Sequence, residues 1–565
     1  MHDDRSIRRF NRRQVLGAAA LGATAPVWLT ALPGWQTVSA TPAGELSIGL
    51  NLVPPGFNPL TAVSASQRWP FFMVLSTLAK PDPVNSTLYG DLAEDWTISE
   101  DALTYTFNLR QGVTWHDGTP FTAEDVEFTY TMAVHPESGS TLAGRFALIK
   151  GAAAFTAGEA DTLEGIKVID DHTIAFTMEF PNGLFLNETT FLHIMPKHIL
   201  GEVAPADIAT QPQVINKVIG TGPFKWVNYE QDQFIEVEAN PDYFQGAPAI
   251  NKIVFNIITS PDTLQIAMDR EEVDMPAFDG GTAVFALFEK FIGDERFRID
   301  ATPGSSVVGY GWNFRHDYLA DPRIHQALLY ALDRQALIDA FNGGNGTIYN
   351  SFMTHAWYQK EEWKDRYPFD PDKARALLTE AGWDTERTVT VNVLQFGNDD
   401  IRAMVAAEQQ MLADVGFKVE FEEMDTSVWV ERFYQTHEFE LVRVTFGVFP
   451  DPDGFLNFHL RTTSQNAFGL ATPELDARID EGRRLINQEE RIPIYQALAE
   501  EMMVTLPVCP VYMQNNWLVR NRKWHVAAFD DAAEPPATLA DIRVQPTLLG
   551  LEDVWQYRMW EWTKD

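Results

Sequence analysis

Acidic side chains are the most frequent chemically active groups in this chain. Two adjacent pairs, Glu94/Asp95 and Glu124/Asp125, are residue types that carry general acid–base catalysis. Such catalysis needs both groups to converge on one substrate, whereas adjacent residues on a helix diverge. The sequence contains neither a nucleophile elbow nor the context of a catalytic triad. We therefore predict that the protein is not an enzyme.

Histidine is the second residue type to consider, because clustered imidazoles bind transition metals. The 12 histidines are scattered, and the pair His193 and His198 is five residues apart, a poor match for one helical face. A Gly-rich phosphate loop, a Cys cluster and a His-x-x-x-His spacing are all missing from the sequence. The sequence therefore predicts no cofactor and no metal site. Uptake of a metal bound to a small chelator stays open as an alternative.

Length and charge limit the partners that the chain can have. At roughly 150 residues per domain, 565 residues indicate about three or four units. The formal net charge of −36 repels nucleic acid and anionic membrane surfaces. We expect neither of them as a partner, and we expect a monomer.

The first forty residues have the order of an export signal. An arginine-rich segment, 5–13, precedes a short apolar stretch, 15–25, and small residues at 38–40. The run 11–16 resembles a twin-arginine signal. The apolar stretch is shorter than the roughly 20 residues that a membrane span needs. The sequence therefore predicts a signal peptide over 1–40, cleaved after Ala40, and a periplasmic mature protein.

Strand-like and helix-like segments alternate along the rest of the chain. Residues 103–109 and 388–394 alternate apolar and polar side chains, which predicts strands. Asp321-Pro322 and Asp370-Pro371 each place a capping residue before a proline at the first helical position. Thr122 and Asp125 have the spacing of a capping box. These signals together predict a mixed α/β fold.

Several sequence blocks occur in an order that is specific to one protein family. Through them the chain resembles the family 5 extracellular solute-binding proteins, the dipeptide, oligopeptide and nickel group of ABC importers. Together the blocks span about residues 45–525. They are residues 92–96, 103–110, 112–126, 220–224, 240–244, 321–334 and 370–383.

The resemblance implies an α/β, two-lobed periplasmic-binding-protein fold, similar to type II, with an additional third domain and a hinge. By analogy, domain I combines residues 41–77, 214–302 and 510–565. Domain II is 78–213 and domain III, the second lobe, is 303–509. The ligand lies between lobes that close over it.

The function implied is that of the substrate-binding component of an ABC importer. It captures a peptide or peptide-like small solute and delivers it to the permease subunits in the inner membrane. Two alternatives use the same cleft. One is a binding protein for a non-peptide solute, such as an opine-like conjugate, an oligosaccharide or a metal chelate. The other is a sensor coupled to a chemoreceptor.

The resemblance also marks where a ligand would be anchored. In peptide-binding relatives an aspartate holds the ligand's α-amino group, three residues before an acidic-Pro step and shortly after a Trp. Here Asp451-Pro452 is the acidic-Pro step, so the aspartate position falls on Val448. The Trp position falls on Thr445 or the nearby Phe446.

The missing aspartate leaves two interpretations, because a buried ammonium without a carboxylate is costly. Either Asp451 or Asp453 takes the role from a shifted loop, or the ligand lacks a free α-amine. Asp-Pro-Asp-Gly over 451–454 is also a strong turn signal, which is the structural interpretation of both aspartates.

Further candidates come from the strand that enters domain III and from the first lobe crossing. On that strand, Trp312 would stack on a ligand and Asn313 would bond it, although core packing of Trp312 explains the residue equally well. Arg443 would meet an anionic group bidentately or form a salt bridge. The predicted ligand contacts are Trp69, Phe72, Tyr310, Trp312, Asn313, Arg443, Phe446, Val448, Phe449, Asp451 and Asp453.

Overall fold

The computed structural model describes most of the chain after residue 43. The predicted signal peptide, together with Val448 and Phe449 of the predicted ligand contacts, lies outside the described residues. The described ranges are 44–54, 56–61, 65–81, 88–277, 289–302, 304, 306–351, 358–394, 399–447, 451–462, 466–513, 515–525 and 563–564.

The first sheet has five strands and buries one of the hydrophobic cores. Leu46, Ile48 and Leu50 alternate along its second strand and are fully buried, as period-two patterning requires. The three strands at one side are parallel to each other, and the last two form an antiparallel hairpin. In spatial order the strands are Met275–Ala277, Glu45–Leu50, Lys252–Ile257, Phe234–Ala239 and Phe224–Glu230.

The second sheet is antiparallel and covers a separate core. The helix Ala123–Val134 packs against it, and the predicted capping box that opens this helix is confirmed. In that box Asp125 accepts from the Thr122 backbone N–H at 3.0 Å. In spatial order the strands are Ala93–Ile98, Thr104–Leu109, Thr173–Thr177 and Ile166–Asp170.

The third sheet again has five strands, with a hydrophobic core on each face. Its first three strands are parallel, and the fourth is antiparallel to both of its neighbours. In spatial order they are Lys418–Met424, Thr388–Leu394, Leu441–Gly447, Ser306–Trp312 and Val508–Met513.

Helices flank the third sheet, and local capping sets where several of them begin. Asp321 and Asp370 accept from backbone N–H groups of the helices that they precede, as the sequence predicted. The helices of this region are Pro322–Ala331, Arg334–Phe341, Pro371–Glu380, Asp399–Asp414, Thr426–Val430, Pro452–His459, Pro473–Arg484 and Gln488–Thr505.

A two-stranded antiparallel ribbon joins the first sheet to the third. It consists of Phe297–Thr302 and Asn516–Asn521, in register from Phe297 with Asn521 to Thr302 with Asn516. Three residues of sequence separate Thr302 of the ribbon from Ser306 of the third sheet, and two separate Met513 of that sheet from Asn516 of the ribbon. The predicted boundary between 509 and 510 therefore falls inside the strand Val508–Met513.

Shorter elements complete the described structure. Two small antiparallel strand pairs join Ala79–Pro81 with Leu88–Gly90, and Trp524–His525 with Thr563–Lys564. Along the described part of the chain, no helix has both the length and the apolar character that crossing a membrane requires. Other helical segments are Ala65–Val74, Ala143–Phe146, Ala152–Thr156, Phe185–Glu188, Lys197–Leu200, Pro205–Thr210, Pro212–Ile215, Pro261–Asp269, Asp317–Leu319, Glu361–Trp363 and Glu431–Thr436.

Candidate ligand cleft

One edge of the third sheet collects the ends of strands from distant parts of the sequence. The parallel strands end there at Leu394, Met424 and Gly447. Ser306 begins its strand opposite Gly447, and Met513 ends its strand opposite Val307. In open α/β sheets, ligands bind outside the carboxyl ends of parallel strands. This edge, which we call the cleft edge, is therefore the candidate wall of a ligand cleft.

The first sheet has an equivalent edge. Its parallel strands end at Leu50, Ile257 and Ala277, as their pairing registers show. The ribbon starts at the opposite end of these strands, where the Asn521 N–H donates to the Asp274 carbonyl at 2.7 Å. It therefore runs beside the sheet and leaves it near the carboxyl ends. Its strand ends at Thr302 and Asn516 are separated in sequence by three and two residues from Ser306 and Met513, which lie at the cleft edge of the third sheet.

Two exposed side chains lie where these strands end. Thr445 lies near the end of the central strand of the third sheet and is exposed, whereas its neighbour Phe446 is buried. Leu52, directly after the strand Glu45–Leu50, is 45% exposed. An exposed Thr on a central strand and an exposed Leu beside a core strand indicate open surface at both edges. Mixed apolar and polar lining is typical of small-ligand sites.

Trp69 and Phe72 lie on the helix Ala65–Val74 and belong to the core of the first sheet. Both are buried, and the Phe72 ring lies 5.6 Å from the ring of His193. His193 is buried too, and burial, aided by the charge of Lys80, lowers its pKa to about 3. Neither aromatic side chain reaches the exposed surface of the cleft edge in this conformation.

Trp312 and Asn313 have structural partners. Trp312 has no exposed surface; it stacks on His325 at 4.3 Å, and its indole N–H donates to the Cys509 sulfur at 3.1 Å. The Asn313 amide donates to the carbonyls of Phe439 at 2.8 Å and His437 at 3.0 Å. This geometry matches the core-packing interpretation. Truncating Trp312 is therefore expected to destabilise the protein.

Arg443 is held by a carboxylate on the helix Asp399–Asp414. Its guanidinium donates twice to Glu408, at 2.7 and 2.8 Å, and the Tyr310 hydroxyl donates to the same carboxylate. Burial lowers the pKa of Arg443, but the charge and hydrogen bonds of Glu408 together outweigh it, so the pKa lies above its ordinary value. Burial, followed by the Glu408 charge, raises the pKa of Tyr310 well above its usual range. The salt bridge considered from the sequence is present, and it is buried.

Asp451 and Asp453 also bind arginines. Asp451 accepts from Arg491 at 2.5 and 2.8 Å, and it caps the helix Pro452–His459 through the Asp453 N–H. Both contacts of Arg483 with Asp453 reach the same carboxylate oxygen, Oδ2, which leaves Oδ1 buried without a hydrogen-bond partner. Burial raises the pKa of Asp453, partly offset by the Arg483 charge. The turn chemistry expected of Asp451 is present, and both carboxylates are buried.

Phe446 lies beneath this turn among other aromatic rings. Its ring is 6.1 Å from Phe455, 5.9 Å from Phe468 and 5.9 Å from His459. The Nδ1 atom of His459 is buried without a hydrogen-bond partner, and burial lowers the pKa of this imidazole to about 3. Phe446 is therefore part of a buried aromatic cluster beside the cleft edge.

Sequence reasoning missed Glu408, Arg483 and Arg491, which hold four of the predicted ligand contacts in place. A signal was present: Arg443 interrupts the apolar strand Leu441–Gly447, and a charge at a buried strand position needs an opposite charge. The described residues contain no group of three or more His, Cys, Asp or Glu side chains arranged to hold a metal ion. The arrangement suits non-covalent binding of a small molecule between two sheet edges.

Comparison with known proteins identifies the family to which the chain belongs. Residues 87–467 match the bacterial extracellular solute-binding proteins, family 5, middle region. A Brucella ovis protein named as an ABC transporter peptide-binding protein is 29% identical over 525 residues, covering 89% of this chain and 94% of the relative. The oligopeptide-binding protein AppA of Bacillus subtilis is 27% identical over 501 residues, covering 84% and 87% respectively.

Solved structures agree with the sequence comparison. The substrate-binding protein CtaP of Listeria monocytogenes superimposes with a TM-score of 0.76 at 24% identity, covering 93% of this chain and 100% of CtaP. AppA in complex with a nonapeptide gives 0.72 at 22% identity, with the same coverages. The predicted fold class and solute-binding role are confirmed. The chain belongs to the bacterial extracellular solute-binding proteins of family 5.

Proposed function

We propose that this protein captures a peptide or peptide-like solute between its two lobes and delivers it to the permease of an ABC importer. The observation that carries the proposal is the arrangement of the first and third sheets. Each presents the carboxyl ends of its parallel strands where the ribbon links the two sheets. The peptide-binding names of the Brucella ovis protein and of AppA support a peptide-like ligand.

The lobes that we propose follow the sheets. The first lobe combines domains I and II, residues 41–302 and the segment from 516 onward, and the second lobe is domain III extended to Met513. The pairing of Val508–Met513 with Ser306–Trp312 supports a second crossing at 514–515. Links this short between two sheets suit a hinge, which absorbs closure in a few residues.

We also propose that residues 1–40 are a twin-arginine-type signal peptide and that the mature protein is periplasmic and monomeric. The extracellular family and the order of charged, apolar and small residues before Ala40 support export. Amino-terminal sequencing of the secreted protein is expected to start at Thr41.

Mass spectrometry of the native protein tests the ligand class. We expect denaturation to release peptides or peptide-like molecules in near-stoichiometric amount, chemically unaltered after prolonged incubation. Conversion of the released molecule by fresh protein would contradict a binding role. A sugar or metal chelate as the main species would favour the non-peptide alternative.

The ion pairs of Asp451 and Asp453 support a ligand that is not anchored through a free α-amine. Both carboxylates are buried and already paired with an arginine, so neither offers the uncompensated negative charge that would attract a ligand ammonium. We expect trypsin-digested casein and the same digest after acetylation to bind with equal affinity, measured by calorimetry.

The substitution Val448→Asp is expected to favour free-amine peptides by at least about tenfold, because it restores a carboxylate at the position that anchors the amine in relatives. Val504→Asp, at an exposed helix position, serves as the control and should leave the ratio unchanged. A wild-type preference for the free amine would restore the shifted-loop interpretation.

Thr445→Trp is expected to weaken binding of the casein digest by at least about tenfold, because it adds a large ring on exposed surface at the cleft edge. The matched control is Thr385→Trp. Thr385 is also exposed, but it lies at the amino end of the neighbouring strand Thr388–Leu394. Equal affinities of the two variants, each with an unchanged unfolding midpoint, would place the ligand elsewhere.

A further inference from the structure

Domain II touches domain III directly, through residues that are not part of the ribbon joining the sheets. The Gly183 N–H donates to the Arg483 carbonyl at 2.7 Å. The Arg484 guanidinium lies 4.9 Å from the centre of the Phe180 ring, and Ile486 packs against the core of the second sheet. We call this set of interactions the cross-lobe contact.

Close approach of the two backbones requires a glycine at position 183. A Cβ atom built there would lie 2.1 Å from the Leu485 carbonyl oxygen, much nearer than real side chains allow. The φ angle of Gly183 lies outside the left-handed region, so the missing side chain is needed for space rather than for backbone conformation. Asn182 fixes this turn, because its carbonyl accepts from the buried Tyr105 hydroxyl at 2.7 Å.

On one side, the contact belongs to a body that includes the first sheet. The His116 N–H donates to the Gly220 carbonyl at 2.9 Å, and the His116 ring bridges the Gly220 N–H and the Gly222 carbonyl. The Ile194 N–H donates to the Ser76 carbonyl at 2.9 Å. These bonds join domain II to domain I, so the first lobe is held together as one body.

On the other side, the contact is tied to the cleft edge of domain III. Arg483 is held by Asp453, and Arg491 donates both to Asp451 and to the Gly482 carbonyl at 3.0 Å. The two aspartates follow the central strand Leu441–Gly447 where it reaches the cleft. The buried ion pairs therefore connect the strand that lines the cleft to the backbone that meets Gly183.

We propose that the cross-lobe contact is a closing latch, made when the lobes shut over a ligand and broken when the hinge opens. The inference rests on the proposed function, because it needs two lobes that move. It assigns a role to Asp451 and Asp453: they transmit the position of the cleft strand to the latch. Closure is then stabilised both by ligand contacts and by this second contact outside the cleft.

A matched pair of Gly→Ala substitutions in domain II tests the latch. Gly183→Ala adds a methyl group against Leu485, whereas Gly144→Ala adds one where no atom lies within 4 Å. The mature wild type and both variants are compared by small-angle X-ray scattering and by hydrogen exchange of segments 180–186 and 482–486. Each is measured as purified and with trypsin-digested casein as the probe.

We expect Gly183→Ala to enlarge the radius of gyration and to speed amide exchange in both segments by about tenfold or more. We also expect faster dissociation of the digest, with little change in its association. Gly144→Ala should match the wild type in all measurements. Wild-type scattering and exchange in Gly183→Ala would overturn the latch, even if the digest binds. If the wild type does not bind the digest, but amide exchange is still faster in Gly183→Ala than in the wild type, the peptide ligand is refuted and the latch is supported.

A second substitution keeps the test decisive if Gly183→Ala folds poorly. Arg484→Gln removes the cation over Phe180 without adding bulk to the contact. We expect a smaller shift in the same direction, again seen in exchange of 180–186. Arg478→Gln is the control, since Arg478 lies on the same helix and pairs with Glu501 instead. Identical exchange in these two arginine variants would overturn the proposal.

Discussion

Replacing Glu408 with Gln is expected to lower the free energy of unfolding by about 3–5 kcal/mol, because it leaves the buried Arg443 guanidinium without a counter-charge. Glu408 is fully buried and receives two hydrogen bonds from Arg443 and one from Tyr310. The glutamine amide carries no charge, and its NH₂ group would face the hydrogen-bond donors of Arg443 and Tyr310. Urea unfolding followed by tryptophan fluorescence measures the loss.

The matched control for this experiment is Glu386→Gln in the same domain. Glu386 pairs with Lys418 at 3.0 Å, but its side chain is 85% exposed. Solvent screening makes such a pair worth about 0–1 kcal/mol. Similar losses of unfolding free energy in the two variants would show that removing the Glu408 charge does not leave a costly unpaired charge on Arg443. The pair would then contribute no more than a surface contact.

Mild acid is expected to destabilise the folded protein strongly, because three buried histidines and the half-buried His116 are neutral in the fold. Burial lowers the pKa of His116 and His325 to about 4, and of His193 and His459 to about 3. Unfolding returns each imidazole to water, where its pKa is about 6.5. The folded pKa is the lower one, so stability is complete above pH 6.5 and is lost as the pH falls below it.

At pH 5.5 each of the four histidines is expected to cost about 1.4 kcal/mol relative to neutral pH, or about 5–6 kcal/mol together. Asp125 and Asp453, whose pKa values burial raises, act in the opposite direction as they take up protons. The comparison is therefore made between pH 7.5 and 5.5, where the histidines dominate. Urea unfolding at the two pH values measures the difference.

His459→Phe should reduce this acid sensitivity by about one quarter, because it removes one of the four titrating groups. Phe fits a site formed by Phe446, Phe455 and Phe468, and it eliminates the unpartnered Nδ1. Phe455→Leu is the control, which should alter stability equally at both pH values. An unchanged difference in His459→Phe would show that His459 protonates without unfolding.

Individual helices and strands of this fold could be predicted from the sequence, but the residues that pair with each other over long sequence distances could not. The strand Thr388–Leu394 has the predicted limits, and the helices after Asp321 and Asp370 begin where predicted. Their signals, alternation and capping, are contained within a few neighbouring residues. Sequence blocks added the family, and with it the solute-binding fold.

The site was harder because its residues meet over long sequence distances. Arg443 and Glu408 are 35 residues apart, and Asp451 and Arg491 are 40 apart. No local pattern specifies either pair. Trp312 illustrates a second limit, since an aromatic side chain at a strand end serves a core or a ligand wall equally well. Because helices cover both faces of the third sheet, Trp312 packs in the core.

The single cysteine has a practical consequence. Cys509 is fully buried against Trp312 and His325, and burial raises the pKa of its thiol to about 12. The reactive thiolate is therefore scarce at neutral pH, and reagents have no path to the sulfur. A cysteine introduced on the surface beside Phe180 or Arg484 would accept a maleimide dye without prior removal of Cys509. Fluorescence from that dye would report solute capture in real time, which makes the native scaffold suitable for a reagentless biosensor.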